Sequence, residues 1–196
     1  MPGYHVHDII TVATGAVFAP VTGAALIVAG DSPQMACVYG GILFGAHLLS
    51  GVMFSPDLDL DSRIDHRWGP LYWIWRPYMW VLPHRSFWSH GLILPPLLRL
   101  VYFYLVVVGL MIATAWVLGR VGVAFPDYHQ RVTRTLLGVA RDYPRETYWF
   151  MMGFVSGGAV HSIADWLVTD GKHVLHHLGI RLSKDYTNHD RHHSHA

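Results

Sequence analysis

The residues best able to do chemistry form a run of alternating carboxylates, Asp57, Asp59 and Asp61, directly after an apolar stretch. In extended backbone, alternate side chains point the same way, so the three carboxylates can line one side. Pro56 disfavours helix at Ser55, so the apolar helix is expected to end where the carboxylates begin. Neighbouring anions repel one another unless a cation compensates them. The run predicts either a metal site or a solvated acidic turn.

Three other stretches supply metal-binding side chains. His7 and Asp8 stand at the start of the first apolar segment, and His84 and His90 flank Arg85 just before the third. His161 and Asp165 are four residues apart in a helical stretch, so they project from one helix face. Such a pair could equally lock two helices together, and the His84–His90 stretch could be a solvated linker.

The composition is that of a membrane protein. Apolar residues make up 52% of the 196 and charged residues only 14%, against about 25% charged in soluble domains. Four apolar segments are long enough to cross a hydrocarbon core of about 30 Å. They are Ile9–Gly30, Ala36–Phe54, about Leu100–Leu118 and about Trp149–Val168. The sequence therefore predicts an all-α polytopic membrane protein with about four transmembrane helices.

The predicted boundaries are a four-span metal-binding domain over residues 1–171 and a His-rich tail over 172–196. Seven of the fifteen histidines fall in the last 24 residues. Such a tail is typical of a disordered segment or a loose metal-capture arm.

Four spans place the N-terminus, the 55–91 connection and the tail on one side, with eight Lys and Arg against five on the other. This bias predicts a cytoplasmic N-terminus in a bacterial inner membrane or a thylakoid membrane. All four stretches with His and Asp then lie at one membrane face. The net charge of +1 gives no sign of nucleic-acid binding.

This convergence predicts a shared site for one or two divalent ions. The single cysteine, Cys37, lies in an apolar run, so His and carboxylates must hold the metal. That ligand chemistry suits zinc, manganese or iron. An EF-hand is excluded because Ser62 and Trp68 occupy positions six and twelve counted from Asp57. His47, deeper in the second span, is expected to be a hydrogen-bonded histidine rather than a ligand.

Two further patterns concern packing. The residues between Trp68 and Trp80 are rich in Trp and Tyr, which prefer the headgroup level of a bilayer. We expect an interfacial aromatic loop that anchors the chain, or alternatively an apolar floor for a lipid-like substrate. The pairs Gly41/Gly45 and Gly153/Gly157 have helix-dimer spacing and predict close parallel packing of the second and fourth spans.

Together these motifs resemble the bacterial membrane-bound metal-dependent hydrolases and, more closely, a sister family of membrane metal-binding proteins frequent in cyanobacteria. The resemblance runs from His7 to about Gly171. It rests on Val6-His7, Phe54-Ser55-Pro56-Asp57-Leu58-Asp59, His84-Arg85-Ser86-Phe87 with Ser89-His90, and Val160-His161-Ser162-Ile163-Ala164-Asp165. It implies the ligand set His7, Asp57, Asp59, His84, His90, His161 and Asp165. The hydrolase pattern has four residues between its paired histidines and this chain has five, which leaves open which of His84 and His90 binds.

We therefore expect a metal-dependent hydrolase at the cytoplasmic membrane surface, acting on a phosphoester or lipid-like substrate. Arg85 would stabilise negative charge, and Asp59 or Asp165 would orient ligands or act as base. Two alternatives stay open. One is a non-catalytic structural or assembly subunit, in a homo-oligomer or a membrane complex, with a structural metal. The other, less favoured, is a divalent-cation carrier.

Overall fold

The computed structural model describes residues 4–55, 65–81, 91–124 and 127–177, and these residues form helices without a strand. The helices are α1 (Tyr4–Val28), α2 (Pro33–Leu48), α3 (Asp65–Trp68), α4 (Arg76–Val81), α5 (Leu94–Arg120), α6 (Tyr128–Asp142) and α7 (Pro144–His177). A π-helical turn, Leu49–Met53, extends α2, and a 3₁₀ helix, Gly69–Trp75, joins α3 to α4. The predicted all-α class is confirmed.

Helices α1 and α2 form an antiparallel hairpin with defined ends. Gly30 adopts a left-handed φ of 99°. The amides of Gly30 and Asp31 donate to the carbonyls of Ile27 and Leu26, which is the Schellman arrangement that ends a helix. Ser32 then caps α2 by accepting from the amide of Met35 at 3.3 Å, and Pro33 occupies the first turn. The turn therefore holds the two helices side by side.

Helix α7 runs parallel to α2 in backbone contact. A Cβ placed on Gly153 would lie 2.3 Å from the carbonyl oxygen of Leu43, and one on Gly157 would lie 2.2 Å from that of His47. The predicted close packing of these two helices is confirmed. The predicted partners on α2 are wrong, because Gly41 and Gly45 have nothing within 4 Å of such a Cβ. The small residues are needed only on α7, where they admit the carbonyl edge of α2.

Ion pairs mark both ends of α1. Near its start, Arg67 is paired with Asp8. After its end, Arg145 binds Asp31 with an N–O distance of 2.9 Å, and its guanidinium lies 4.7 Å from the ring centre of Tyr39. Because Arg145 opens α7 and α7 reaches His7 about 30 Å further along, α7 lies antiparallel to α1 over the length of the hairpin.

Three helical segments are long and apolar enough to cross a membrane: His5–Val28, Pro33–Met53 and Leu94–Arg120. They correspond to the first three predicted spans. The fourth predicted span, Trp149–Val168, lies within α7, which does not meet the same criterion over its described residues. The count of four spans stays a prediction.

The aromatic segment splits between the core and the surface. Tyr72 and Trp75 are three residues apart, which is the period of a 3₁₀ helix, and Tyr78 follows in α4. All three lie in a buried cluster with Phe54 and Phe154. Trp73 and Trp80 lie on the exposed side of this segment, with 72% and 82% of their surface accessible. Half of the segment is thus core, and the other half fits the predicted interfacial anchor.

The end of α2 is capped by side chains from distant elements. The carbonyl of Val52 accepts from Arg67 at 2.8 Å, and that of Met53 accepts from the indole of Trp68 at 2.9 Å. The carbonyl of Phe54 accepts from Arg99 at 3.2 Å. Terminal carbonyls of a helix lack partners within it, and leaving them bare in apolar surroundings is costly. These bonds stop the helix at Met53, just before Ser55 as predicted from Pro56.

Helix α6 turns back along α5. The hydroxyl of Tyr104 bonds that of Thr133 at 2.7 Å, and the hydroxyl of Tyr128 donates to the carbonyl of Met111. No residue of α6 is buried, and its apolar positions Val132, Leu136 and Val139 are exposed. The connection over residues 119–148, between the third and fourth predicted spans, therefore contains a surface helix.

We predict that Gly157→Ala destabilises the bundle by about 1–3 kcal/mol, because the added methyl group overpacks the backbone of α2. Thermal unfolding of the full chain in detergent measures this. Gly45→Ala is the matched control, since its Cβ meets nothing within 4 Å, and it should be neutral or slightly stabilising. Equal effects of the two substitutions would contradict the observed contact.

A second prediction concerns pH. Hydrogen bonds from Arg145, reinforced by its charge, hold the pKa of Asp31 below its ordinary value, against a smaller opposing effect of burial. A lowered pKa stabilises the fold above the unfolded pKa, and this contribution is lost as pH falls through the folded value. Wild type should therefore exceed Asp31→Asn in stability by a constant margin above about pH 5, and the margin should shrink below about pH 4.

Unfolding temperatures of both chains across this pH range check the effect. Asp127→Asn removes an exposed carboxylate from the 119–148 connection and should show no such pH-dependent margin. A margin for Asp31→Asn that stays constant down to about pH 3 would contradict the assignment.

Candidate metal site

Two helices bring three candidate ligands together. His7 lies in the second turn of α1, while His161 and Asp165 lie one turn apart on α7. Because α1 and α7 are antiparallel, the start of one meets the far part of the other. The glycine contacts with α2 fix the register of α7, and Gly157 precedes His161 by one turn. The site is therefore positioned by helix packing rather than by a loop.

The geometry of this cluster is compact. The carboxylate oxygen Oδ1 of Asp165 lies 3.2 Å from His7 Nε2, and Oδ2 lies 3.5 Å from His161 Nε2. The two imidazole rings are stacked, with centres 3.9 Å apart and planes 15° from parallel. All three side chains are buried, with accessibilities of 3%, 2% and 5% for His7, His161 and Asp165.

These groups fit a metal ion. Both carboxylate oxygens of Asp165 are buried without a hydrogen-bond partner in the described part of the chain, and a buried carboxylate in that state is strongly unfavourable. One ligand atom from each of the three residues lies within 4.8 Å of the others. Imidazole and carboxylate are the ligands that zinc, manganese and non-haem iron share. Divalent metal bound by His7, His161 and Asp165 would satisfy the carboxylate.

The remaining predicted site residues lie outside the described residues. They are Asp57, Asp59, His84, Arg85 and His90. The structure does describe where their segments leave the bundle, since Ser55 is buried beside the capped end of α2 and α5 begins at Leu94. The full seven-residue ligand set stays a prediction, and so do the catalytic roles of Asp59, Arg85 and Asp165.

A charged residue near the cluster joins the start of α1 to the end of α2. Arg67 pairs with Asp8, the neighbour of His7, and also donates to the carbonyl of Val52. This guanidinium therefore links the start of α1 with the end of α2. The sequence alone indicates Arg67 only as one of the cations that set the topology, because nothing local points to Asp8 or Val52 as its partners.

A polar network lies deeper in the bundle. His47 is fully buried; its Nδ1 lies 2.9 Å from the hydroxyl of Ser156. Its Nε2 lies 3.1 Å from both the carbonyl of Thr11 and the hydroxyl of Thr14. The expectation of a hydrogen-bonded histidine is confirmed by these contacts. His47 joins α1, α2 and α7 one turn below the metal cluster and so helps to hold His7 and His161 in register.

Arg99 is a buried polar residue that was not among the predicted site residues. It is fully buried in α5 and donates to the carbonyl of Phe54. A lone cation inside an apolar run was the available signal, since ionisable residues in spans usually face a protein interior. Arg99 holds the chain where it leaves α2 for the run of carboxylates that begins at Asp57.

Comparison with known proteins supports metal binding. The family described as "Uncharacterized metal-binding protein" matches residues 2–175, nearly the whole chain. No curated protein and no solved structure gives a significant match.

We predict that Zn²⁺ or Mn²⁺ stabilises the folded chain through this cluster. At about one hundred times the dissociation constant, a ligand that binds only the folded state adds about 2.7 kcal/mol. Thermal unfolding in detergent with and without metal should show this gain for wild type and for His5→Ala, a neighbouring exposed histidine. Asp165→Ala should lose it. An equal gain in Asp165→Ala would assign the binding to other groups, such as the histidines of the tail.

Proposed function

We propose that this chain, which belongs to the family of uncharacterized metal-binding proteins, is a metal-dependent hydrolase embedded in a membrane. Its site would work at the cytoplasmic surface on a phosphoester or lipid-like substrate. The observation that carries the proposal is Asp165, whose two buried carboxylate oxygens face two imidazoles and have no hydrogen-bond partner among the described residues.

The ends of α1 support a location at the membrane surface. From Asp8 to Val28 the helix extends about 30 Å, which is the thickness of a hydrocarbon core. His7 stands at one end of this length, beside the Asp8–Arg67 ion pair. Helix α7 lies along the same length between Arg145 and Asp165. We therefore propose α7 as the fourth span, with the N-terminus, the metal site and the tail on the cytoplasmic side.

The proposed chemistry divides among few residues. A bound divalent ion would lower the pKa of a water molecule and polarise the bond to be cleaved. His7 and His161 would act as neutral ligands, and Asp165 would orient them. Asp59 or Asp165 would accept the proton of the attacking water. Arg85 would stabilise the negative charge that develops on a phosphoryl group.

A structural metal site is the second candidate function. The three described ligands are almost inaccessible, and an ion between them would join α1 to α7. A structural site has every coordination position filled by protein, whereas a catalytic site keeps one open. The chain would then be a non-catalytic subunit of a membrane complex. A cation carrier has less support, because among the described residues the polar groups that continue from the site into the bundle end at His47 and its partners Thr14 and Ser156.

We predict that the purified full chain, loaded with Mn²⁺ or Zn²⁺, hydrolyses a phosphodiester such as bis(p-nitrophenyl) phosphate. Asp165→Asn should lower kcat by about 10²–10⁴ through loss of ligand orientation and of a candidate base. Arg85→Ala should lower it by about 10²–10³ through loss of charge stabilisation. His129→Ala should leave the rate unchanged, because His129 lies in the 119–148 connection, on the side of the membrane opposite to the proposed site.

Steady-state rates for these four chains check the prediction, together with a phospholipid monoester presented in vesicles as a second substrate. Bound metal with no turnover of either substrate would favour the structural candidate. Turnover that survives Asp165→Asn would contradict the proposed site.

A further inference from the structure

We propose that the site holds a pair of metal ions, with Asp165 as a bridging carboxylate, His7 on one ion and His161 on the other. This inference rests on the metal site of the proposed function and names its nuclearity. The sequence allowed one ion or two.

The stacked imidazoles argue against a single shared ion. A histidine binds metal with the lone pair that lies in its ring plane, at about 2.1 Å from the nitrogen. The planes of His7 and His161 are only 15° from parallel, and their centres are 3.9 Å apart. Two such planes meet far beyond the reach of a metal–nitrogen bond. An ion in the ring plane of one histidine therefore lies outside the ring plane of the other, where the second nitrogen has no lone pair to bind it.

The distances to Asp165 fit one ion on each oxygen. Two ligand atoms on the same ion lie about 3.0–3.4 Å apart when both bonds are about 2.1 Å and the angle between them is near 90–110°. The pair of His7 Nε2 and Oδ1 is 3.2 Å apart, and the pair of His161 Nε2 and Oδ2 is 3.5 Å apart. Each imidazole nitrogen thus lies next to a different oxygen of the same carboxylate.

The carboxylate of Asp165 has one oxygen available for each ion. Two-metal sites hold their ions about 3.5–4 Å apart, a distance that a carboxylate with one oxygen on each ion can span. The buried oxygens of Asp165, which form no hydrogen bond within the described ranges, are both free to bind metal. A carboxylate that donates one oxygen to each ion accounts for this arrangement.

The test uses the full chain in detergent, with the histidines of the 172–196 tail replaced by alanine in every protein so that the tail adds no metal. Metal content after Mn²⁺ loading should be two ions per chain for this parent and for His5→Ala. His7→Ala and His161→Ala should each retain at most one, and Asp165→Ala should lose the pair. Electron paramagnetic resonance of the Mn²⁺-loaded parent should show an exchange-coupled pair, a readout that needs no substitution in the site.

One ion per chain with the spectrum of isolated Mn²⁺ would overturn the inference, as would two ions without magnetic coupling. These outcomes separate it from the proposed function. A single-ion protein that hydrolyses the phosphodiester leaves the hydrolase proposal standing without the pair. A coupled pair without turnover supports the pair and counts against the hydrolase. A parent that binds no metal overturns both.

Discussion

The contact between α7 and the carbonyl edge of α2 decides where the chemistry of this protein can occur. Gly153 and Gly157 allow two helix backbones to touch, and a larger side chain at either position would push α7 away. Since this contact fixes the register of α7, it also fixes the depth of His161 and Asp165 relative to His7. The metal cluster thus depends on two residues that carry no functional group at all.

The same logic governs the polar groups inside the bundle. A bare carbonyl is costly in an apolar environment, and the carbonyls at the end of α2 are satisfied by side chains from other elements. Arg67, Trp68 and Arg99 cap three successive carbonyls at the end of α2, and His47 joins three helices through one imidazole. These bonds stabilise the fold and also hold the segment that leads into the run of carboxylates.

Sequence patterns foresaw what depends on local spacing and on helix direction. The pairing of His161 with Asp165 follows from a four-residue interval, and the approach of His7 follows from the antiparallel order of the spans. The patterns did not predict contacts in which a side chain or a glycine meets the backbone of another helix. Gly41 and Gly45 have the right interval but face away from α7, since an interval does not say which helix needs the small residue. Arg99 was missed because its carbonyl partner, Phe54, is distant in sequence, and the inward half of the aromatic segment became evident only from its packing against Phe154.

The ion pairs at the ends of α1 have a consequence for the choice of membrane. Asp8 and Asp31 are held by Arg67 and Arg145 at opposite ends of one stiff helix, and its apolar length is about that of a typical hydrocarbon core. In a thinner bilayer the bundle would tilt or the bilayer would thicken around it, at a cost of fractions of a kcal/mol per Å of hydrophobic mismatch. In a bundle that spans a membrane, as proposed above, this cost would favour bilayers whose hydrocarbon thickness matches the length of α1.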